Sequence, residues 1–134
     1  MMFKSKKGFT LVELLAVIVI LAIILAIAIP SITTLINNSK KGAFESNVKM
    51  LAAGIEYKIL EKSQGAAGTD FVAATKPYTL TSGDIVSIGG VSSDYTSVVL
   101  TNTSPVTITV TGVSTGRFGA YTVTGGTRNS ATVN

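Results

Sequence analysis

The sequence predicts an α+β protein. One long, bent N-terminal helix, apolar all round in its first half, packs its second half against a small C-terminal antiparallel β-sheet. Three observations carry this expectation. Sixteen apolar residues, Leu14 to Ile29, run without interruption. Phe44, Val48, Leu51, Ile55 and Ile59 then recur at helical spacing and make one apolar stripe. From Gly65 the composition turns to Gly, Ala, Ser and Thr, and period-two patterns appear, as where Val106, Ile108 and Val110 alternate with Thr107, Thr109 and Thr111.

The elements follow in chain order. Residues 1–8 are a short basic leader carrying Lys4, Lys6 and Lys7. Basic residues ahead of an apolar run hold that end in the cytoplasm. Residues 9–30 are the hydrophobic segment. At about 1.5 Å per residue it spans about 30 Å, the hydrocarbon thickness of a bilayer. It is rich in Ile and Val, yet only a helix satisfies its own backbone in lipid. Pro30 brings no N–H to the carbonyl four residues back, which places a kink near Ala26.

Residues 31–63 continue the helix in amphipathic form, with Lys41, Glu45 and Lys49 at i,i+4 spacing on another face. Gly42 and Gly54 are weak points within it. Ser63-Gln64-Gly65 is the stop signal, so the helix is expected from about Phe9 to Lys62. Residues 64–77 are expected as a surface loop between helix and sheet. Residues 78–134 form the sheet, with strands expected near 78–81, 84–88, 91–92, 96–101, 106–111, 117–124 and 128–133. Ile88-Gly89-Gly90-Val91 suits a hairpin turn, because glycine supplies the positive φ that such turns require. A second turn is expected where Gly125-Gly126 follows Tyr121-Thr122-Val123-Thr124. The stripe from Phe44 to Ile59 is the one amphipathic helix face at hand to cover the sheet.

Composition excludes whole classes of chemistry. The 134 residues contain neither Cys nor His. Disulfide staples, thiol nucleophiles, imidazole acid–base catalysis and the usual zinc ligands are therefore out of reach. The formal charge of +4 belongs largely to the leader, since beyond Gly8 eight cations face seven carboxylates. Asp70, Asp84 and Asp94 are scattered and suit turns and caps. The Gly-Gly pairs lack the Lys and Ser/Thr of a phosphate loop. The chain is not expected to be an enzyme, to hold a metal or to need a cofactor. Lys40, Lys41, Arg117 and Arg128 could form a basic surface, but four cations in a near-neutral domain assign no nucleic-acid partner. Two Asn-x-Ser patterns, at Asn37 and Asn102, are too short to assign glycosylation.

Glu13 is the anomaly. An isolated carboxylate in an apolar helix costs several kcal/mol, and such residues usually mark function. It stands within Lys7-Gly8-Phe9-Thr10-Leu11-Val12-Glu13, ahead of the apolar run that ends at Pro30. That combination resembles the class III signal of type IV pilins and their pseudopilin relatives over about the first 30 residues. Beyond them the resemblance is one of architecture, a helical spine followed by a loop and an antiparallel sheet.

The resemblance implies that a membrane prepilin peptidase cuts between Gly8 and Phe9 and methylates the new amino group of Phe9. An assembly machine then lifts subunits from the cytoplasmic membrane into a helical homo-oligomer with the apolar helices as its core. On that account Glu13 pairs with the Phe9 ammonium of a neighbouring copy and sets axial register. Glu13, Phe9 and Pro30 are thus the assembly residues, and Lys4, Lys6 and Lys7 the basic residues of the leader. The expected function is a major pilin of a surface filament for adhesion or motility, with a pseudopilin of a secretion or DNA-uptake system as the alternative.

Two departures from the family bear on this. The chain lacks the C-terminal disulfide of many Gram-negative pilins and resembles the cysteine-free pilins of Gram-positive bacteria such as clostridia. A terminal strand near Thr127–Val133 must secure the C-terminal region instead. No Asp or Glu follows Asp94, so the calcium site of many major pseudopilins is not expected. A conventional secretory signal cut after Ala26-Ile27-Ala28 is the rival reading, but it would leave Glu13 inside the apolar core of that signal.

Overall fold

The computed structural model describes residues 7–134. Lys4 and Lys6 lie outside the described residues. The chain divides into one unit ending at Asn37 and another spanning Asn38–Asn134, and helix α1, Leu11–Ser63, contributes to both.

In the first unit α1 is apolar and exposed on every side from Leu11 to Ile29, with Glu13 in its first turn. This helix is long and apolar enough to cross a membrane, and none of that stretch is buried within the chain. Pro30 does not break the helix, which runs through it without interruption. The hydroxyls of Thr33 and Thr34 both donate to the Pro30 carbonyl, at 2.9 and 3.1 Å.

The second unit holds the core. Phe44, Val48, Leu51 and Ile55 are fully buried, with Ile59 packed at the edge, so the stripe read from spacing is the face that covers the sheet. The sheet has four strands in the order β1 (Tyr78–Thr79), β2 (Tyr95–Thr103), β3 (Val106–Gly112) and β4 (Thr122–Gly126). All neighbours are antiparallel. Register places Val98 opposite Val110, Leu100 opposite Ile108, and Val110 opposite Val123. These side chains point inward, while Thr107, Thr109 and Thr111 take the alternate positions along β3. Phe44 lies 5.9 to 6.4 Å from the rings of Tyr95, Phe118 and Tyr121, an aromatic cluster tying the helix to the end of the sheet.

Several expected strands are something else. Residues 84–87 belong to a short helix, α2, Ser82–Ser87, and Ile88 is its C-cap. Thr81 is its N-cap and Asp84 closes a capping box. The Gly89-Gly90 pair is not a hairpin turn but the end of α2. Gly89 sits at φ +87° and donates to Val86 O at 3.0 Å, while Gly90 donates to Ile85 O at 2.8 Å. This is a Schellman motif, which needs a residue of positive φ after the last turn. The same motif ends α1, with Gly65 donating to Lys62 O and Ala66 to Glu61 O.

Residues 91–92 are no strand, because Ser92–Asp94 is a 3-10 turn. In 117–124 only Thr122 onward is extended. In 128–133 a single bridge, Val133 to Val123, replaces the expected strand. The expected surface loop is in fact anchored. Phe71 is buried against Tyr78, and the Lys76 ammonium donates to the carbonyls of Phe71, Val72 and Ala74.

Without disulfides the last residues are held by many small contacts. Ala131 is buried. Val133 N donates to Glu45 at 2.9 Å, Asn134 N donates to Thr122 O at 3.0 Å, and Arg128 reaches Glu56 at 3.1 Å. Gly54 is a contact glycine rather than a weak point: a Cβ there would stand 2.5 Å from the Ile88 carbonyl oxygen.

Candidate assembly site at the helix start

Lys7, Gly8, Phe9 and Thr10 precede the helix with no regular structure, and all four are exposed. The helix cannot begin earlier, because Thr10 is built as its N-cap. Its carbonyl accepts the first helical bond from Leu14 N at 3.2 Å. Its hydroxyl accepts from Glu13 N at 3.2 Å, and Glu13 Oε2 accepts from Thr10 N at 2.8 Å. These reciprocal bonds are a capping box, which satisfies two of the donors that a helix start leaves orphaned. The helix dipole adds to the fit, since a carboxylate in the first turn faces the positive end.

Lys7, Gly8, Phe9, Thr10 and Glu13 line one groove of about 310 Å³. The structure thus brings together Gly8 and Phe9, the pair expected to flank the cut, with Lys7 and the Glu13 carboxylate. Pro30 stands 17 residues beyond Glu13 along the helix and is not part of this cluster. Among the described residues a Cβ on Gly8 would meet nothing within 4 Å, so no contact with them calls for glycine there. Phe9 is 92% exposed. The Phe9 nitrogen is one residue upstream of the N–H that already holds Glu13. Thr10 is the site residue that the sequence reading passed over. Its signal was present, because Thr10-Leu11-Val12-Glu13 has capping-box spacing directly before an apolar run.

Some of the other ionisable groups have local partners. Burial pushes the Asp84 carboxyl up, but hydrogen bonds from Thr69, Thr81 and Tyr78 outweigh it and leave the group below its ordinary value. Asp94 takes both Arg117 Nε and Nη2, at 2.9 and 2.6 Å. Among the described residues no group of three or more Asp or Glu is placed to hold a metal ion. Of the four cations considered as a basic surface, Arg117 and Arg128 are each ion-paired.

Residues 3–29 match the family model described as the prokaryotic N-terminal methylation motif. No solved structure matches the chain. That motif implies processing by a prepilin peptidase, and with the apolar helix behind it fits a membrane-anchored precursor. Residues 3–29 are thus a type IV pilin-like methylation signal, and they head a type IV pilin-like α+β fold.

Proposed function

We propose that this chain is the major structural subunit of a type IV pilus. Residues 1–8 are the leader, 9–30 the membrane segment that becomes the filament core, 31–63 the rest of the spine, and 64–134 the loop and sheet head. Hydrolysis of the Gly8–Phe9 amide consumes one water and leaves a carboxylate on Gly8 and an ammonium on Phe9; once that ammonium gives up a proton, the same enzyme transfers a methyl group to the amine from a methyl donor. The leader cations Lys4, Lys6 and Lys7 keep the cut site on the cytoplasmic side.

One observation carries the reading. A fully exposed apolar helix half begins with a carboxylate four residues from the nitrogen that cleavage would free. In the membrane Glu13 is held by its own helix start. In the filament it exchanges that neutral donor for the Phe9 ammonium of a neighbouring copy. An unpaired buried carboxylate is costly, so the exchange specifies register whether or not the pair is a large net stabiliser. Pro30 leaves the Ala26 carbonyl without its helical donor and is the place where the spine adapts to its neighbours. The chain serves adhesion or motility from the cell surface.

Abundance in fibres tests the proposal. Filaments sheared from the native cell should consist mainly of this chain. Processed chain held in the membrane, with fibres absent, would instead assign a pseudopilin of a secretion or DNA-uptake system.

A further inference from the structure

We infer that Thr10 is a positioning residue for the cut: its capping box fixes the start of α1 at Leu11 and so keeps the Gly8–Phe9 amide out of the helix, open to a peptidase. The inference rests on the processing reading and gives Thr10 a part in it.

Each helical N–H donates to the carbonyl four residues back. For α1 to grow toward its N-terminus, Glu13 N would have to reach Phe9 O, and Thr10 N would have to reach Lys6 O. Side chains already hold both donors. The Thr10 hydroxyl accepts from Glu13 N at 3.2 Å, and Glu13 Oε2 accepts from Thr10 N at 2.8 Å. The capping box thus satisfies the first turn and at the same time blocks the turn before it. Residues 7–10 accordingly have no regular structure and stand exposed, although a long apolar helix follows them directly.

Gly8 works in the same direction, because glycine inside a helix loses more backbone freedom than alanine. Without the Thr10 hydroxyl, the next side chain upstream of a capping type is Ser5. A helix begun at Ser5 would bond Phe9 N to Ser5 O and Val12 N to Gly8 O. Both polar groups of the amide to be cut would then be spent inside the helix.

The cut needs them free. It adds one water across the Gly8–Phe9 C–N bond and leaves the Gly8 carboxylate and the Phe9 ammonium. The water must reach the Gly8 carbonyl carbon, and the Phe9 nitrogen must be able to leave. An extended segment can also pair its main chain with a partner protein, which a helical one cannot.

The unsubstituted precursor and its Thr10→Ala and Thr10→Ser variants test this as full chains in detergent. Each is cut by an excess of purified prepilin peptidase. Exchange of the Phe9 amide proton is followed by NMR on the same chains without the enzyme. Alanine removes the cap and is also the best helix former. Thr10→Ser keeps a hydroxyl on the same carbon.

Thr10→Ala should be cut several-fold more slowly, though still after Gly8, and its Phe9 amide proton should exchange several-fold more slowly. Thr10→Ser should match the unsubstituted chain in both. Equal or faster cutting of Thr10→Ala overturns the inference and leaves the processing reading intact. Slower cutting with unchanged Phe9 exchange would mean that the enzyme reads the Thr10 hydroxyl directly, and it also overturns the inference. If the unsubstituted chain is not cut after Gly8, the processing reading fails and this role fails with it.

Discussion

The Glu13 carboxylate accepts from the Thr10 backbone N–H at 2.8 Å, and the Thr10 hydroxyl accepts from the Glu13 N–H at 3.2 Å. Charge and cap can therefore be separated by mutation. Glu13→Gln keeps an oxygen for Thr10 but deletes the charge. Thr10→Ala keeps the charge but loses one arm of the cap, worth about 0.5–2 kcal/mol. Both variants should still be cut after Gly8. Fibre yield, normalised to processed chain in the membrane, should collapse for Glu13→Gln and fall only modestly for Thr10→Ala. Equal yields for the two would remove the pairing role from Glu13.

Two glycines of α1 should respond in opposite directions. A Cβ at Gly54 meets the Ile88 backbone, whereas at Gly42 it meets nothing within 4 Å. Gly54→Ala should destabilise the chain by about 1–3 kcal/mol through overpacking. Gly42→Ala should stabilise it by about 0.5–1 kcal/mol, because alanine loses less backbone freedom in a helix interior. Thermal unfolding of the full chain in detergent, followed by circular dichroism, gives both signs.

Acid should loosen the sheet unit at Asp84. The folded carboxyl lies below its ordinary value of 3.8, so the unfolded chain takes up the proton more readily. The stabilisation is complete above that ordinary value and is lost as pH falls through the folded value. Asp84→Asn should remove this dependence and cost about 1–3 kcal/mol at neutral pH, since an amide cannot accept all four donors. Urea melts of both chains across the acid range would show the difference narrowing as pH falls.

What the sequence disclosed was the periodicity that burial imposes. The stripe from Phe44 to Ile59 and the alternation of Val106 to Thr111 were legible because each has one face on the core. Residues 84–88 misled because Ile85, Val86 and Ile88 are β-branched and apolar. The deciding signals were polar, namely Thr81 and Asp84 at capping-box spacing and Gly89 beyond the last turn. Phe71 sits in a polar, turn-rich stretch, and it is buried against Tyr78, seven residues on, by a chain turn that no helix or strand period announces. At the candidate site the motif was legible from Lys7 to Glu13, whereas the role of Thr10 lies in two hydrogen bonds.

Burial should outrank surface ion pairs in holding the head together. Phe44 is fully buried beneath three aromatic rings, so Phe44→Ala should cost about 3–5 kcal/mol. Arg128→Ala removes an exposed partner of Glu56 and should cost at most about 1 kcal/mol. Denaturant midpoints of the two variants would rank them.

The central claim is that the chain is cut after Gly8 and built into filaments through Phe9 and Glu13. Intact and N-terminal mass spectrometry on filaments sheared from the native cell tests it most directly. The account predicts a main component that begins at Phe9 and carries a methyl group on its amino nitrogen. A chain that begins at Ile29, or one that retains Met1, would contradict it.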